Sequence, residues 1–353
     1  MLFENVIGQE PVIRIFENIL KHQRLAHAYL FTGPMGVGKF YFARELAKTI
    51  LCSTKNTAFS DNRSINFQLP CQSCSSCRQV EQEWHPNLSI TSPAPGEKNI
   101  TIDKIRRIER EIKLKPLQGK YKIFIINDAE TIVEEGFNAL LKTLEEPPSY
   151  VLLILITSKP EAILPTVVSR CQLIRFYPIN DRLLNSFFSR HLKLPEKELD
   201  VLTYLARGSI GLGCYLKESD FLQQRELLLN CLADRGPSQM VQSGGYSTGG
   251  LAEEIISYAQ SGKKKLEENR QQVVQQFTIL ALFFYDVLML HYGLEQYLMN
   301  PDKKKLSQRI KSASSPEKIV RIMETLIDSE RLLKLNANYK LVVENTVLNM
   351  NLS

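Results

Sequence analysis

The chain has no uncharged apolar run near the roughly 20 residues that a membrane-spanning helix needs. Its opening, MLFENVIGQE, lacks the basic and then apolar profile of an export signal, so the sequence reads as cytoplasmic with no membrane attachment. There is no internal repeat and no basic or acidic tail. With 17 glycines and 16 prolines spread along it, the chain cannot be collagen-like, and 44% hydrophobic residues exclude intrinsic disorder. Cationic character is also scarce. A net charge of +6, divided as +4 before Leu251 and +2 from it onward, permits contact with nucleic acid but does not by itself argue for it.

What is present is enough chain for two or three domains, 353 residues, each able to bury its own core. Two lysine runs, Lys263 to Lys265 and Lys303 to Lys305, read as solvated helix ends. Of seven cysteines, Cys171, Cys214 and Cys231 are scattered, while Cys52, Cys71, Cys74 and Cys77 gather in a short stretch. In a cytosolic chain such a cluster indicates metal and not disulfides.

Helical and strand patterns alternate over about the first 175 residues. Apolar runs at 28–31, 123–126 and 151–156 have the continuous character of strands buried on both faces, as in a parallel sheet. Helical spacing covers 43–51, 101–114 and 137–145, the last stopped by Pro147 and Pro148. This is an α/β plan with crossovers. After Pro178 the spacing is helical throughout, with short segments at 181–191, 195–207 and 209–216 and longer ones at 221–232, 271–291, 310–313, 316–333 and 337–350. Residues 236–250, with five glycines and three serines, form a loop within the last helical region.

The stretch Gly33-Pro34-Met35-Gly36-Val37-Gly38-Lys39 fits the phosphate-binding pattern G-x-x-x-x-G-K and lies between a strand and a helix. Its glycines, Gly33, Gly36 and Gly38, let backbone N–H groups approach phosphate, and Lys39 reaches the outer phosphates. The hydroxyl that should follow the lysine to coordinate magnesium is replaced by Phe40. ATP with magnesium is therefore a possible ligand, but metal-assisted hydrolysis is doubtful. The run ending in Asp128 delivers an acid to the carboxyl end of the sheet, where it could hold magnesium. Ala129 follows where hydrolysing AAA+ proteins carry a water-polarising Glu, and Glu130 reads as a helix-start residue facing another side of the turn. Cys52 with Cys71-x-x-Cys74-x-x-Cys77 supplies the four sulfurs of a tetrahedral zinc with no open position, hence a structural site, leaving His85 a less suitable ligand.

Taken in order, Val6-Ile7-Gly8-Gln9, the phosphate loop, the four cysteines, NALLKTLEEPP at 138–148 and Ser169-Arg170-Cys171 resemble bacterial clamp-loader subunits of DNA polymerase III, of the AAA+ class. The resemblance extends to about residue 215 on motifs and beyond it on helical character and the 338–348 stretch. It implies an AAA+ P-loop core with a parallel sheet and a zinc-binding insert over 1–177, a helical lid over 178–217 and an all-helical collar over 218–353. It also implies gamma/tau-like and delta-like partners in a five-membered ring, a sliding clamp and primed DNA. Arg170 matches the family's arginine finger, which acts on a neighbour's ATP. The motor branch, gamma or tau, keeps a hydroxyl, an acid pair and a lid Arg at the positions of Phe40, Ala129 and Gly211. All three departures resemble the non-hydrolysing delta-prime branch. Two other readings stand beside this one. An active AAA+ motor would use Glu130, and a zinc-dependent DNA-binding protein would need a base-reading helix after the cysteines, which the sequence does not indicate.

Overall fold

The computed structural model describes residues 3, 5–54, 70–94, 96–234, 250–260 and 266–350. The Gly-rich stretch up to residue 249 and the Lys263 to Lys265 run lie outside them. By compactness the chain forms two units, one of residues 1–186 with 207–212 and one of residues 187–206 with 213–353.

The first unit is built on a five-stranded parallel sheet. Its strands are β1 (Ala28–Thr32), β2 (Leu88–Thr91), β3 (Lys122–Ile126), β4 (Val151–Thr157) and β5 (Gln172–Arg175), in the order β2-β3-β4-β1-β5. Every residue of β1, β3 and β4 is buried, because helices cover both faces. Successive side chains point to opposite faces, so each strand feeds two apolar layers. On one face Tyr29, Phe31, Ile125 and Ile154 meet Phe16 of α1 (Glu10–Lys21) and Phe42 and Leu46 of α2 (Lys39–Leu51). On the other, Leu30, Phe124 and Leu155 meet Ile105 and Ile108 of α4 (Ile102–Ile112) and Phe137 and Leu140 of α5 (Glu134–Glu145). A seven-residue helix, α3 (Ser75–Glu81), separates α2 from β2, and α6 (Pro165–Val168) precedes β5. The register pairs Thr32 with Thr157 and Ile126 with Leu155, so the strands end together at one rim. With α2 and α5 this is the AAA+ core that the motifs imply.

Strands β2 and β5 were not indicated by the sequence. Each has four residues and stands at a sheet edge, where only Leu88 and Ile174 are buried, too little to make an apolar run.

The second unit is helical: α8 (Glu196–Ala206), α9 (Ile210–Glu218, from Gly213), α10 (Phe221–Asp234), α11 (Leu251–Gln260), α12 (Leu266–His291), α13 (Lys304–Ser312), α14 (Pro316–Lys334) and α15 (Tyr339–Asn349). Helix α7 (Asp181–His191) runs from the first unit into it. By length and composition alone residues 268–291 could cross a membrane, although the stretch carries Asp286 and so is not an uncharged run. In the fold this is a core helix. Val273, Phe277, Leu280, Phe284 and Val287 are buried, and α12 packs against α13 and α14. Asp286, fully buried on it, accepts the backbone N–H of Met299 and of Asn300 and the Asn300 amide. Burial pushes its carboxyl up to about 6 against the pull of those bonds. The Arg225 guanidinium closes the network through Asn300 Oδ1 at 2.7 Å and Asp302. Lys303 and Lys304 are not free cations, since they pair with Glu226 and Glu295.

Within the first unit the start of α9 touches the phosphate loop. Gly211 N–H donates to the Gly36 carbonyl at 3.0 Å, and the Ser209 hydroxyl occupies the space a Gly36 Cβ would need. Gly36 has φ +75, so glycine is required there twice over. A Cβ on Gly211 would stand 2.9 Å from Gly36 Cα, so the two backbones approach as closely as glycine at both positions allows. Alanine at 211 would gain up to about 1 kcal/mol of helix propensity and lose about 1–3 kcal/mol to overpacking. Gly211→Ala is therefore expected to lower the thermal midpoint by a few degrees in a melting experiment. An unchanged or raised midpoint would mean that the lid turn does not rest on the loop.

Candidate functional site

At the carboxyl rim of the sheet β1 gives way to the phosphate loop. Gly33 has φ +140 and lies against the Phe176 carbonyl, with no room for a Cβ, and Gly38, also left-handed, caps α2. Lys39 opens that helix and is 7% exposed. Its Nζ donates to the Gly33 and Pro34 carbonyls, both at 2.7 Å, so the lysine closes its own loop. Burial holds its ammonium below the ordinary lysine range, while Glu130 and Asp128 pull it back up. Phe40 is half-buried and packs into the apolar layer beside α2.

Gln9, 1% exposed, is a functional position that sequence reasoning used only as part of a motif. Its amide donates to the Val37 carbonyl at 3.2 Å and to the Tyr177 carbonyl at 2.7 Å, and its Oε1 accepts the Tyr177 N–H at 3.2 Å. One side chain thereby ties the phosphate loop to the segment leaving β5. A buried amide satisfied on both ends is worth more than an exposed one, since removing it strands three backbone groups.

Asp128 follows β3 in left-handed backbone, φ +55, and its Oδ2 accepts from the Asn127 amide at 3.0 Å. Burial first, and Glu130 second, push its carboxyl up, with Lys39 opposing. Ala129 is fully buried in the apolar layer under α4 and α5. Glu130 stands in the first turn of a short helix, and it also bonds across the sheet. It sits in a single 3-10 turn, Ala129–Thr131, and its Oε1 accepts the Ser158 hydroxyl at 2.8 Å and the Ser158 N–H at 3.3 Å. Burial pushes it up, but the Ser158 bonds outweigh that and leave it below the usual carboxylate range. Glu130 is thus a brace between the ends of β3 and β4 that also acts on Lys39 and Asp128. Its partner lies 28 residues away, across a strand pair.

The four clustered cysteines come together at the far end of α2. Cys52 caps that helix, Cys74 caps α3, and the four sulfurs lie within 4.8 Å of one another. The Cys52–Cys74 and Cys71–Cys77 pairs are 3.9 and 4.0 Å apart. Metal–sulfur bonds of about 2.3 Å in a tetrahedron place sulfurs roughly 3.8 Å apart, so the set fits a tetrahedral ion. The Thr54 hydroxyl and nearby N–H groups bring the Cys71 thiol down to about 6. Burial raises Cys74, but the Ser53 hydroxyl and the Cys77 and Ser53 N–H groups outweigh it and bring this thiol down to about 5. Burial and the sulfurs of Cys74 and Cys52 push Cys77 up. Four thiolates so close need a cation to ionise together. His85 is buried nearby, but its Nδ1 accepts the Asn87 N–H at 3.1 Å. Helix α3 begins within the cysteine run. Its Glu81 is held by Lys48 and, at 3.1 Å, by Arg44, both from α2, so α3 is fastened to the phosphate-loop helix.

Arg170 lies apart from these groups, between α6 and edge strand β5. Its guanidinium donates to the Thr166 carbonyl at 2.9 Å and to Glu145 Oε1 at 2.8 Å. Burial pushes the adjacent Cys171 thiol up to about 12, which leaves it protonated and unreactive.

Residues 8–180 match the family described as DNA polymerase III, delta subunit, and residues 263–351 match its C-terminal region. The delta' subunit of DNA polymerase III from Bacillus subtilis is 26% identical over 348 residues, 96% of this chain and 95% of that protein. The tau subunits of Bacillus subtilis and Escherichia coli are 32% and 34% identical over 213 and 215 residues, each 59% of this chain. The chain spans about a third of the length of those tau relatives, 36% and 31%. A gamma subunit-related protein of known structure from Thermotoga maritima is 16% identical and aligns over 98% of this chain and 100% of its own, with a TM-score of 0.41. With the strand order, the phosphate loop and both family regions in place, the chain belongs to the clamp-loader subunits of DNA polymerase III, with delta' as its full-length counterpart.

Proposed function

We propose that this chain is the non-hydrolysing, delta-prime-type subunit of a bacterial replicative clamp loader. In this reading residues 1–177 form the AAA+ core, 178–217 the lid and 218–353 a collar that joins gamma/tau-like and delta-like subunits in a five-membered cytoplasmic ring. The assembly opens a sliding clamp and places it on primed DNA. The observation that carries the non-hydrolysing role is Ala129. The position next to Asp128 that a water-polarising acid would need is fully buried among apolar side chains. Phe40 adds to it, having no oxygen for magnesium and a ring committed to packing. The Ser158 hydroxyl and N–H engage only Oε1 of Glu130, and its Oε2 is buried without a hydrogen-bond partner, so Glu130 is the acid on which the motor reading would rest. Gly33, Gly36, Gly38, Lys39 and Asp128 are the residues that would hold a nucleotide and its magnesium. The intact Lys39 is also what favours the alternative, an active motor subunit.

The isolated chain is expected to show no ATP turnover above background in a steady-state assay. Magnesium-dependent turnover abolished by Lys39→Ala would overturn the non-hydrolysing role in favour of the motor reading.

Arg170 acts in trans in this reading. It stands beside the edge strand β5, away from the chain's own Lys39, and reaches a neighbour's transferring phosphate across a ring interface. Arginine fingers elsewhere contribute roughly 10³–10⁵ in rate, but only one site of several would lose its finger. Arg170→Ala is expected to leave the complex assembled and to lower its DNA- and clamp-stimulated ATP turnover and clamp loading in part. Wild-type turnover by an assembled variant complex would remove the finger role.

The metal is proposed to be a structural zinc on Cys52, Cys71, Cys74 and Cys77. Four sulfur ligands leave no position for water, so the ion would join Cys52 at the end of α2 to Cys71, Cys74 and Cys77 about the start of α3, holding the insert between the phosphate-loop helix and Trp84. Elemental analysis is expected to find one zinc per chain, and Cys74→Ser to lower thermal stability while leaving a folded core. Freshly purified protein without zinc would refute the assignment.

A further inference from the structure

The contact that the activity leaves unexplained is the one between Arg170 and Glu145. Glu145 is the last residue of α5, where the helix dipole presents its negative end and an acid is unfavourable by a few tenths of a kcal/mol or more. Helix stability therefore gives no reason for it. Pro147 and Pro148 end the helix just beyond, which fixes where the carboxylate stands. Its Oε1 accepts from Arg170 Nη2 at 2.8 Å, while Nη1 donates to the Thr166 carbonyl at 2.9 Å and to the Ser169 hydroxyl at 3.4 Å. The guanidinium is thus turned onto its own subunit by three oxygens, one of them charged. The Arg170 and Glu145 side chains keep 35% and 51% of their exposure, so a competing anion can reach the pair from solvent.

We infer that Glu145 is a positioning residue that holds the Arg170 guanidinium in reserve and yields it when the terminal phosphate of a neighbour's nucleotide competes for it. This rests on Arg170 being the finger. The physical consequence is a charge cost at the neighbouring site. A phosphate must displace one carboxylate and then sit beside it, so Glu145 weakens nucleotide binding there and restrains turnover before DNA and clamp complete the interface. An exposed pair is weak, which limits the restraint to about two- to fivefold.

The test uses the reconstituted complex, with this chain as wild type, Glu145→Gln, Arg170→Ala or both. Glutamine keeps the size and the accepting oxygen and removes the charge. Glu145→Gln is expected to lower the apparent KM for ATP about two- to fivefold and to raise the unstimulated rate similarly, leaving the fully stimulated kcat and the melting temperature unchanged. The difference should shrink at high salt, which screens an exposed pair, and vanish in the Arg170→Ala background. If Glu145→Gln leaves KM and unstimulated rate unchanged, or lowers turnover, while Arg170→Ala lowers turnover, the reserve role is overturned and the finger stands. A gain that persists without Arg170 overturns it as well, because the carboxylate would then act on phosphate directly. No effect of Arg170→Ala on turnover removes the finger and this inference together.

Discussion

Two-sided burial of β1 and its neighbour β4 is the constraint on which the first unit depends. Twelve strand residues in these two elements are shut away from water, and each fully buried apolar side chain contributes roughly 1.5–3 kcal/mol. Phe16 is fully buried at the centre of one face, its ring 5.1 Å from that of Tyr29 and 5.1 Å from that of Phe42. Once these strands are parallel and in register, their carboxyl ends coincide, and whatever follows them meets at one rim. The phosphate loop, Asp128 and Ser158 are neighbours for that reason alone.

The rim is electrostatically closed on itself. Lys39, Asp128 and Glu130 influence one another's protonation, yet each also has a local obligation: the lysine to two carbonyls, the aspartate to Asn127, the glutamate to Ser158. Such engagements keep charges in place without a ligand, since an unpaired group of this burial would cost more than its bonds. One oxygen falls outside this pattern, since Glu130 Oε2 is buried with no hydrogen-bond partner.

How much of this was legible in the sequence follows from the length scale of each signal. Strands β1, β3 and β4, and helices α4 and α5, announce themselves because burial on one or two faces imposes a period over many residues. The four cysteines were equally plain, because ligand spacing is local. Edge strands of four residues leave no period, and α11 was hidden next to the Gly-rich stretch. Pairings across the sheet were beyond reach. The bond from Ser158 to Glu130, the grip of Gln9 on Tyr177 and the seat of Gly211 on Gly36 join residues far apart in the chain, and each depends on strand register that only the folded sheet supplies. The acidic residue on Arg170 was quoted in the sequence as part of a motif, without any sign of what it touches.

The two hydrogen bonds from Lys39 to the Gly33 and Pro34 carbonyls give that side chain a part in the fold apart from any ligand. A lysine present only for phosphate could be replaced without cost to the fold. A lysine that ties off two partly buried carbonyl oxygens is held by folding as well, because it closes the loop on its own helix. The joint between strand and helix is therefore reason enough for the lysine, whether or not a nucleotide is used there. A lysine in this loop reports the joint before it reports any chemistry.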